Sequence, residues 1–197
     1  PVYYLAPEIF HTAPMFFLST DVPENDHISK TICHRLYDAN ESTKIAQYIL
    51  LGKGGAKFLD VMNFERDVYH LNEAHGLPAA FYLLKKFGGD LAKVKEKLVF
   101  TTHTPEEAGN EKHNINLCHD MSYFSGLSLN EVKTIEGVED DRFNHSLCAL
   151  RMARVANGVS QLHGVVSRKM WSKYPGICEI KAITNAQDFK YWADRPL

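Results

Sequence analysis

The sequence predicts an α/β protein whose sheet is mainly parallel and flanked by helices. Two observations predict this class. Short apolar runs alternate along the chain with longer segments of helical periodicity, and several of the runs end in small hydroxyl or polar side chains. Ligands of open α/β sheets bind beyond the carboxyl ends of the strands, so a site is expected where those polar residues follow a strand.

Strands are predicted where aliphatic, aromatic and β-branched side chains are concentrated, at residues 2–5, 14–20, 67–71, 98–102, 158–160 and 180–183. The run at 14–20 is continuously apolar, which is typical of a strand buried on both faces of a parallel sheet. Residues 21–26 are then expected to form a loop at the carboxyl end of that strand.

Helices are predicted between these strands, at residues 42–59, 79–86, 90–97, 144–156 and 163–171. Gly88 and Gly89 are typical of a helix end. The segment 109–141 is polar, and we expect it to be irregular apart from one short helix that starts at Ser128.

The glycine-rich segment at residues 52–55 (GKGG) lies inside the first predicted helix. A phosphate cradle would need the Walker spacing and a Lys-Ser/Thr ending, and neither is present. We therefore expect these glycines to allow a bend or close packing.

Composition and charge exclude several classes of protein. The 197 residues are 45% apolar and 23% charged, which is ordinary for a soluble globular protein and excludes disordered, collagen-like and coiled-coil chains. The net charge of −2 lacks the basic surplus of a nucleic-acid-binding face. No apolar run approaches the ~20 residues of a membrane span. Four widely spaced cysteines predict reduced, mostly buried thiols and a cytoplasmic protein.

Three predicted strand exits carry similar polar chemistry. They are Asn72, Glu73 and His75 after the third strand, Thr102, His103 and Thr104 after the fourth, and Thr184 and Asn185 after the last. Neutral donors and acceptors of this kind bind sugar hydroxyls, so together the exits indicate a polar crevice above one sheet edge. From spacing alone, His103 fits a core or capping histidine better than a ligand.

Other catalytic constellations are weaker. His70, His75, His103, His113 and His119 show no recognised metal-ligand spacing, so no metal is expected. There is no G-x-S-x-G elbow, and the adjacent pair Cys118–His119 is expected to be structural. Of the carboxylates only Glu73 lies well for acid–base work at a strand exit, and a capping role suits it equally.

Five segments resemble motifs of the α-glucan phosphorylases, in that family's order. Residues 70–76 (HLNEAHG) resemble H-L-N-E-G-H, and residues 99–105 (VFTTHTP) are similar to V-F-T-T-H-T-P. Residues 155–171 (VANGVSQLHGVVSRKMW) resemble V-N-G-V-S-K-L-H-G-x-V-S-R-x-M-W. Residues 18–26 (LSTDVPEND) and 183–185 (ITN) resemble L-x-T-D-V-P-E-N-D and I-T-N-G. The resemblance is greatest to the short bacterial and archaeal branch.

The resemblance implies a GT-B glycosyltransferase architecture, in which two Rossmann-like domains face each other across the active-site cleft. Residues 1–197 would be a single, partial N-terminal-side domain, and Pro1 in place of an initiator methionine fits a stretch cut from a longer chain. The implied reaction transfers a glucosyl unit from the end of an α-1,4-glucan to phosphate, giving glucose 1-phosphate. The implied cofactor, pyridoxal phosphate, would be held by a lysine that this chain lacks, so no residue here is a cofactor-binding candidate. For the whole protein, the resemblance is compatible with a homo-oligomer.

The resemblance also implies roles for single residues. His103 matches the family histidine that contacts glucose at the cleavage subsite and is the catalytic candidate. Asn185 matches the asparagine that reaches the same sugar. His75, Glu73 and Thr104 are further substrate-binding candidates on the cleft loops.

The sequence differs from the phosphorylase motifs at two places, and these differences leave other functions open. The usual V-P-A-G-N after the Thr-Pro pair is here Glu106-Glu107-Ala108-Gly109-Asn110, and Ala186-Gln187 replaces Gly and a hydrophobic residue after Thr-Asn. A sugar-binding module without catalysis and a GT-B enzyme that uses a nucleotide sugar therefore remain alternatives to the phosphorylase.

Overall fold

The structure is a computed structural model that describes residues 1–10, 12–36, 38–64 and 66–188. The strands are β1 (Val2–Leu5), β2 (Met15–Leu18), β3 (Tyr69–Asn72), β4 (Leu98–Thr102), β5 (Lys112–Asn114), β6 (Arg142–Asn144), β7 (Val155–Gly158) and β8 (Glu179–Ala182). The helices are α1 (Pro7–Phe10), α2 (His27–Lys30), α3 (Glu41–Ile49), α4 (Gly55–Val61), α5 (Pro78–Lys86), α6 (Leu91–Lys97), α7 (Ile115–Asp120), α8 (Leu129–Glu136), α9 (His145–Met152) and α10 (Gln161–Trp171).

A four-stranded parallel sheet lies at the centre of the fold, with strand order β3-β4-β7-β8. Leu71 is paired with Phe100, Phe100 with Ala156, and Ala156 with Ile180, so one row of apolar side chains crosses all four strands. Helices cover the sheet, and β4 is buried along most of its length, as expected for an inner strand of a parallel sheet. The predicted class, an α/β fold with a Rossmann-like sheet and flanking helices, is confirmed.

Helix boundaries follow local capping chemistry. The Asp90 side chain accepts hydrogen bonds from two amides at the start of α6, and Ser160 accepts from the His163 amide at the start of α10. Ser128 and Glu131 form a reciprocal capping box at the start of α8, which confirms the helix predicted from Ser128. Gly88 and Gly89 have positive φ after α5, as predicted.

The glycine-rich segment forms a π-helical turn, Leu50–Gly54, between α3 and α4. A Cβ on Gly52 would lie 2.6 Å from the Gly76 oxygen and 2.8 Å from the Ala79 nitrogen, so only glycine fits against the start of α5. The packing interpretation of this segment is confirmed.

The prediction that residues 14–20 form a buried strand of the parallel sheet is wrong about where the strand lies. The strand exists, but it pairs antiparallel with β1 in a separate two-stranded sheet, and its side chains alternate between exposed and half-buried. A continuous apolar run indicates a strand and does not distinguish a central one from a hairpin.

Two further predictions need correction. The segment 109–141 contains β5 and α7 besides the helix from Ser128, because Asn114 caps α7 and Phe143 on β6 pairs with His113 on β5. The helix predicted at 144–156 ends at Met152, and the strand expected at 158–160 is β7, three residues earlier. No helix among the described residues is long and apolar enough to cross a membrane.

Candidate functional site

The carboxyl ends of β3 and β4 bring four predicted site residues together. Asn72 ends β3 and pairs with Thr101, and the Glu73 amide continues the ladder by donating to the Thr101 carbonyl at 2.9 Å. His103 and Thr104 follow β4 directly. Parallel pairing therefore places the end of the HLNEAHG motif beside the VFTTHTP motif.

Glu73 links the two strand exits. Its carboxylate accepts a short hydrogen bond from the His103 amide and a hydrogen bond of 3.2 Å from the Thr104 hydroxyl. Its backbone has φ 60° and ψ 173°, a conformation that residues with a Cβ rarely adopt and that costs about 1–3 kcal/mol. The surrounding contacts hold this strained residue in place, and strain of this kind is concentrated at functional sites.

The His103 imidazole is exposed at the same edge. Its Nε2 lies 2.8 Å from Asn72 Oδ1. Because an amide oxygen only accepts, Nε2 donates its proton to Asn72, and in the corresponding imidazole tautomer Nδ1 is the acceptor. The ring is thereby oriented by β3 while it remains accessible to a ligand.

Asn185 lies at the same edge but farther along it. Its amide donates to the Val159 carbonyl at 3.1 Å, just beyond the end of β7, and its side chain is exposed. Because β7 lies between β4 and β8, Asn185 is two strand spacings, or about 10 Å, from the exit of β4. The structure thus places Asn185 on the predicted edge and outside the hydrogen-bonded group around Glu73.

His75 lies one short turn below the site, in the 3-10 turn Ala74–Gly76, with its ring 4.9 Å from the Tyr48 ring. It lines a cavity of about 100 Å³ together with Tyr48, Glu73, Ala74, Thr104, Gly109, Asn110, Glu111, His145 and Ser146. Three of the predicted site residues, Glu73, His75 and Thr104, therefore share one small cavity. Asn110 Oδ1 is buried in this region without a hydrogen-bond partner among the described residues.

Glu111 is the charged group on the cavity wall that sequence reasoning missed. Burial alone would raise the pKa of its carboxyl, but hydrogen bonds from Tyr48 and Lys44 outweigh burial and hold that pKa below its ordinary value. Lys44 Nζ lies 2.9 Å from Glu111 Oε1, and the Tyr48 hydroxyl donates a short hydrogen bond to Oε2. These partners are more than 60 residues apart in the chain, so no local spacing signals the group.

A larger groove, of about 840 Å³, runs beside β3 and shares Tyr48 and His75 with the cavity. Its walls are mainly aliphatic and aromatic side chains from β2, α4 and β3, among them Phe16, Phe58 and Tyr69. The polar residues at the carboxyl edge thus adjoin an apolar surface.

The other chemistries have no site among the described residues. No group of three or more His, Cys, Asp or Glu side chains there could hold a metal ion. Cys118 is buried, and burial raises the pKa of its thiol to about 12, so it is not an activated nucleophile. Glu107 is exposed and paired with Lys173.

Pyridoxal phosphate does not fit the described residues. A Schiff base needs a lysine amine in a polar pocket, and Lys44, which lines the large groove, is paired with Glu111. No lysine lines the cavity beside Glu73 within the described chain.

Comparison with known proteins finds relatives over most of the chain. No family model matches the chain. The chain is 46% identical to an uncharacterized protein of Methanocaldococcus jannaschii, over 98% of this chain and 36% of that protein. It is 34% identical to a maltodextrin phosphorylase of Thermococcus litoralis, over 90% of this chain and 23% of that enzyme. It is 32% identical to a glycogen phosphorylase of Mycobacterium tuberculosis, over 91% of this chain and 24% of that enzyme.

An α/β chain with polar side chains gathered at the carboxyl edge of a parallel sheet has the form of a ligand-binding domain. Over about nine-tenths of its length, this chain is a homologue of one region of the glycogen and maltodextrin phosphorylases, and the predicted resemblance is confirmed. The chain spans between about a quarter and about a third of the length of these relatives.

Proposed function

We propose that this stretch forms part of the N-terminal-side domain of an α-glucan phosphorylase of GT-B architecture, and that its carboxyl edge binds the glucosyl unit at the end of an α-1,4-glucan. One observation carries the proposal. Two segments that resemble the family's motifs meet at adjacent strand ends and form one hydrogen-bonded group of Asn72, Glu73, His103 and Thr104.

The chemistry of this group suits a neutral sugar. His103 is the proposed catalytic contact, since its ring is exposed and oriented by Asn72. Fixed neutral donors and acceptors orient the sugar and stabilise an oxocarbenium-like transition state without moving themselves during the reaction. Glu73 and Thr104 hold the β4 exit in place, while Asn185 and His75 extend the surface along the sheet edge and into the cavity.

The cofactor belongs to the rest of the proposed active site. Pyridoxal phosphate, held by residues other than those described, would supply a phosphate group as the acid–base partner of the substrate phosphate. The residues described here would bind and orient the glucan end on the opposite side. The substrates proposed for the whole protein are an α-1,4-glucan and phosphate, and we place the protein in the cytoplasm, where its cysteines stay reduced.

The test is formation of glucose 1-phosphate by the protein expressed from its complete reading frame, with maltoheptaose and inorganic phosphate. We expect phosphate-dependent formation of glucose 1-phosphate, and none from the 197-residue chain alone. Binding of maltoheptaose with no turnover would instead favour a sugar-binding module. Transfer from a nucleotide sugar, with no phosphorolysis, would identify a glycosyltransferase of the second alternative class.

A further inference from the structure

A buried row of hydrogen-bonded side chains leads from the core to the cavity wall. The Tyr123 hydroxyl lies 2.7 Å from His145 Nδ1, and His145 Nε2 lies 2.8 Å from His113 Nδ1. His113 Nε2 in turn lies 3.9 Å from Glu111 Oε2. Tyr123, His145 and His113 are each at most 6% exposed, so their hydrogen bonds are shielded from water.

The number of protons on the side chains determines which group donates and which accepts in each hydrogen bond of this row. A neutral imidazole has one N–H donor and one acceptor nitrogen. If Tyr123 donates to His145 Nδ1, then His145 Nε2 donates to His113 Nδ1, and the His113 Nε2–H faces the Glu111 carboxylate. In the reverse direction, the bare His113 Nε2 would face that carboxylate, and the buried Tyr123 proton would have no acceptor among the described residues. Leaving a buried donor unpaired costs about 1–3 kcal/mol, so the first direction is the stable one.

The surroundings keep both rings neutral. Burial lowers the pKa of His145 well below its ordinary value, and neighbouring His113 and His75 lower it further. Burial also lowers the pKa of His113. Glu111 and Glu41 oppose that shift, while Lys44 and Arg142 add to it. A second proton on His113 would set its Nδ1–H against the His145 Nε2–H, and a second proton on His145 would leave the Tyr123 hydroxyl proton without its acceptor.

We propose that Tyr123, His145 and His113 are positioning residues that fix Glu111 as a hydrogen-bond acceptor on the wall of the cavity beside Glu73 and His75. The Glu111 carboxylate accepts hydrogen bonds from Tyr48 and Lys44 and faces the His113 end of the row at 3.9 Å, so it presents acceptor oxygens only. A wall with Glu111 and Glu73 admits hydroxyl donors and repels anions, so the cavity selects a neutral polyhydroxyl group over a phosphorylated or carboxylated one. This selectivity rests on the proposed function, whereas the direction of the row does not.

Long-range ¹H–¹⁵N NMR spectra of the unliganded protein test the direction of the row. We expect the Nε2–H tautomer at both His145 and His113, unchanged from pH 5.5 to 8. An Nδ1–H tautomer at His145, or titration of either ring near pH 6.5, would overturn the proposal, and these wild-type spectra require no variant.

Tyr123→Phe tests whether the Tyr123 hydroxyl determines the tautomers of His145 and His113. Loss of the hydroxyl should raise the fraction of the Nδ1–H tautomer at His145, because only the Glu111 carboxylate opposite His113 Nε2 then favours the original direction. Tyr82→Phe is the matched control, because it removes a tyrosine hydrogen bond of 2.8 Å to Asp60 outside the row. Unchanged tautomers in Tyr123→Phe would contradict the proposal.

The functional arm compares binding of maltoheptaose and of a phosphorylated malto-oligosaccharide. Tyr123→Phe should weaken maltoheptaose binding on the order of 3- to 10-fold and reduce the preference for the neutral sugar, whereas Tyr82→Phe should change neither. Altered tautomers with unchanged affinity and preference would remove the positioning role. If the wild-type protein binds neither sugar, the proposed function fails, and the positioning role in sugar binding fails with it, while the NMR spectra still decide the direction of the row.

Discussion

At the scale of the residue, Glu73 is the position where local structure and the candidate site are most closely coupled. It combines a backbone conformation that favours glycine with a carboxylate that bridges two strand exits. A side chain that is tolerated under such strain is retained for its contacts, because a glycine there would remove the strain and lose the bridge.

Replacing Glu73 by glycine and by alanine separates these effects. Both substitutions remove the carboxylate, and only alanine keeps the strained Cβ. We expect Glu73→Gly to have a higher free energy of unfolding than Glu73→Ala, by roughly 1 kcal/mol after the greater unfolded-state entropy of glycine is subtracted. Urea denaturation of the two variants measures the difference. An alanine variant at least as stable as the glycine variant would show that Glu73 is not strained.

Sequence reasoning reached some of these residues and missed others for a physical reason. Glu73 and His103 follow apolar runs, so their place at strand exits could be predicted from local pattern and their proximity from parallel pairing. Glu111 and His145 reach the cavity through tertiary packing, with partners up to 67 residues away in the chain. No periodicity records such a contact.

At the scale of the element, the π-helical turn between α3 and α4 packs against the start of α5 through Gly52. Gly52 faces the backbone of Ala79 and of Gly76, the last residue of the turn that carries His75. Gly55, three residues later, faces open space at the start of α4. Gly52 therefore has no room for a side chain, whereas Gly55, in the same helical segment, does.

Alanine substitution at each position tests this packing. Gly52→Ala should destabilise the protein by roughly 3 kcal/mol, because its Cβ would overlap backbone atoms that cannot rotate away. Gly55→Ala should be neutral or stabilising by up to about 1 kcal/mol through helix propensity. Thermal or urea unfolding provides the comparison. Equal effects at the two sites would contradict the packing account.

Glu136 connects α8 to the start of α9, and its charge state should control that connection. Its Oε1 accepts from the Asn144 amide at 2.7 Å, while Oε2 is buried without a partner in the described chain. Burial raises the pKa of this carboxyl from 4.5 to about 7. The Asn144 amide lowers it, Asp140 raises it, and Lys112 and Arg151 lower it.

The free energy of unfolding of the wild-type protein should therefore decrease as pH rises, when it is compared with that of Glu136→Gln. The folded state holds the Glu136 proton up to about pH 7 and the unfolded state releases it near 4.5, so the folded state binds more protons between these values. This contribution is complete below pH 4.5 and is lost as pH rises through 7, by roughly 3 kcal/mol. Urea midpoints of the two proteins from pH 4 to 8 measure it. A constant or rising difference would show that burial does not raise the pKa of Glu136.

Elements were predicted best where local chemistry determines them. The inner strand β4 and the helices capped by Asp90 and Ser128 lie at the positions that apolar runs and capping residues predict. The surroundings of β2 could not be predicted, because an apolar run of four residues suits a hairpin and a buried sheet equally. The end of α9 was misplaced because Ala153 and Ala156 continue its apolar pattern into β7.

At the scale of the whole molecule, the parallel sheet sets the order of the site. Strand order β3-β4-β7-β8 places the Glu73–His103 group at one end of the carboxyl edge and Asn185 at the other. The intervening edge is wide enough for a sugar ring, and the homology to phosphorylases gives that edge its proposed ligand. We propose that His103 at this edge contacts the glucosyl unit at the end of the glucan.

Phosphorolysis by His103→Ala tests this proposed contact. The protein from the complete reading frame is assayed for glucose 1-phosphate with maltoheptaose and phosphate, beside His119→Ala, which removes an exposed histidine on α7. Loss of a positioned hydrogen-bonding group in an active site lowers turnover on the order of 100-fold or more, and we predict that loss for His103→Ala with normal turnover in the control. Turnover by His103→Ala near that of the wild-type protein would contradict the account.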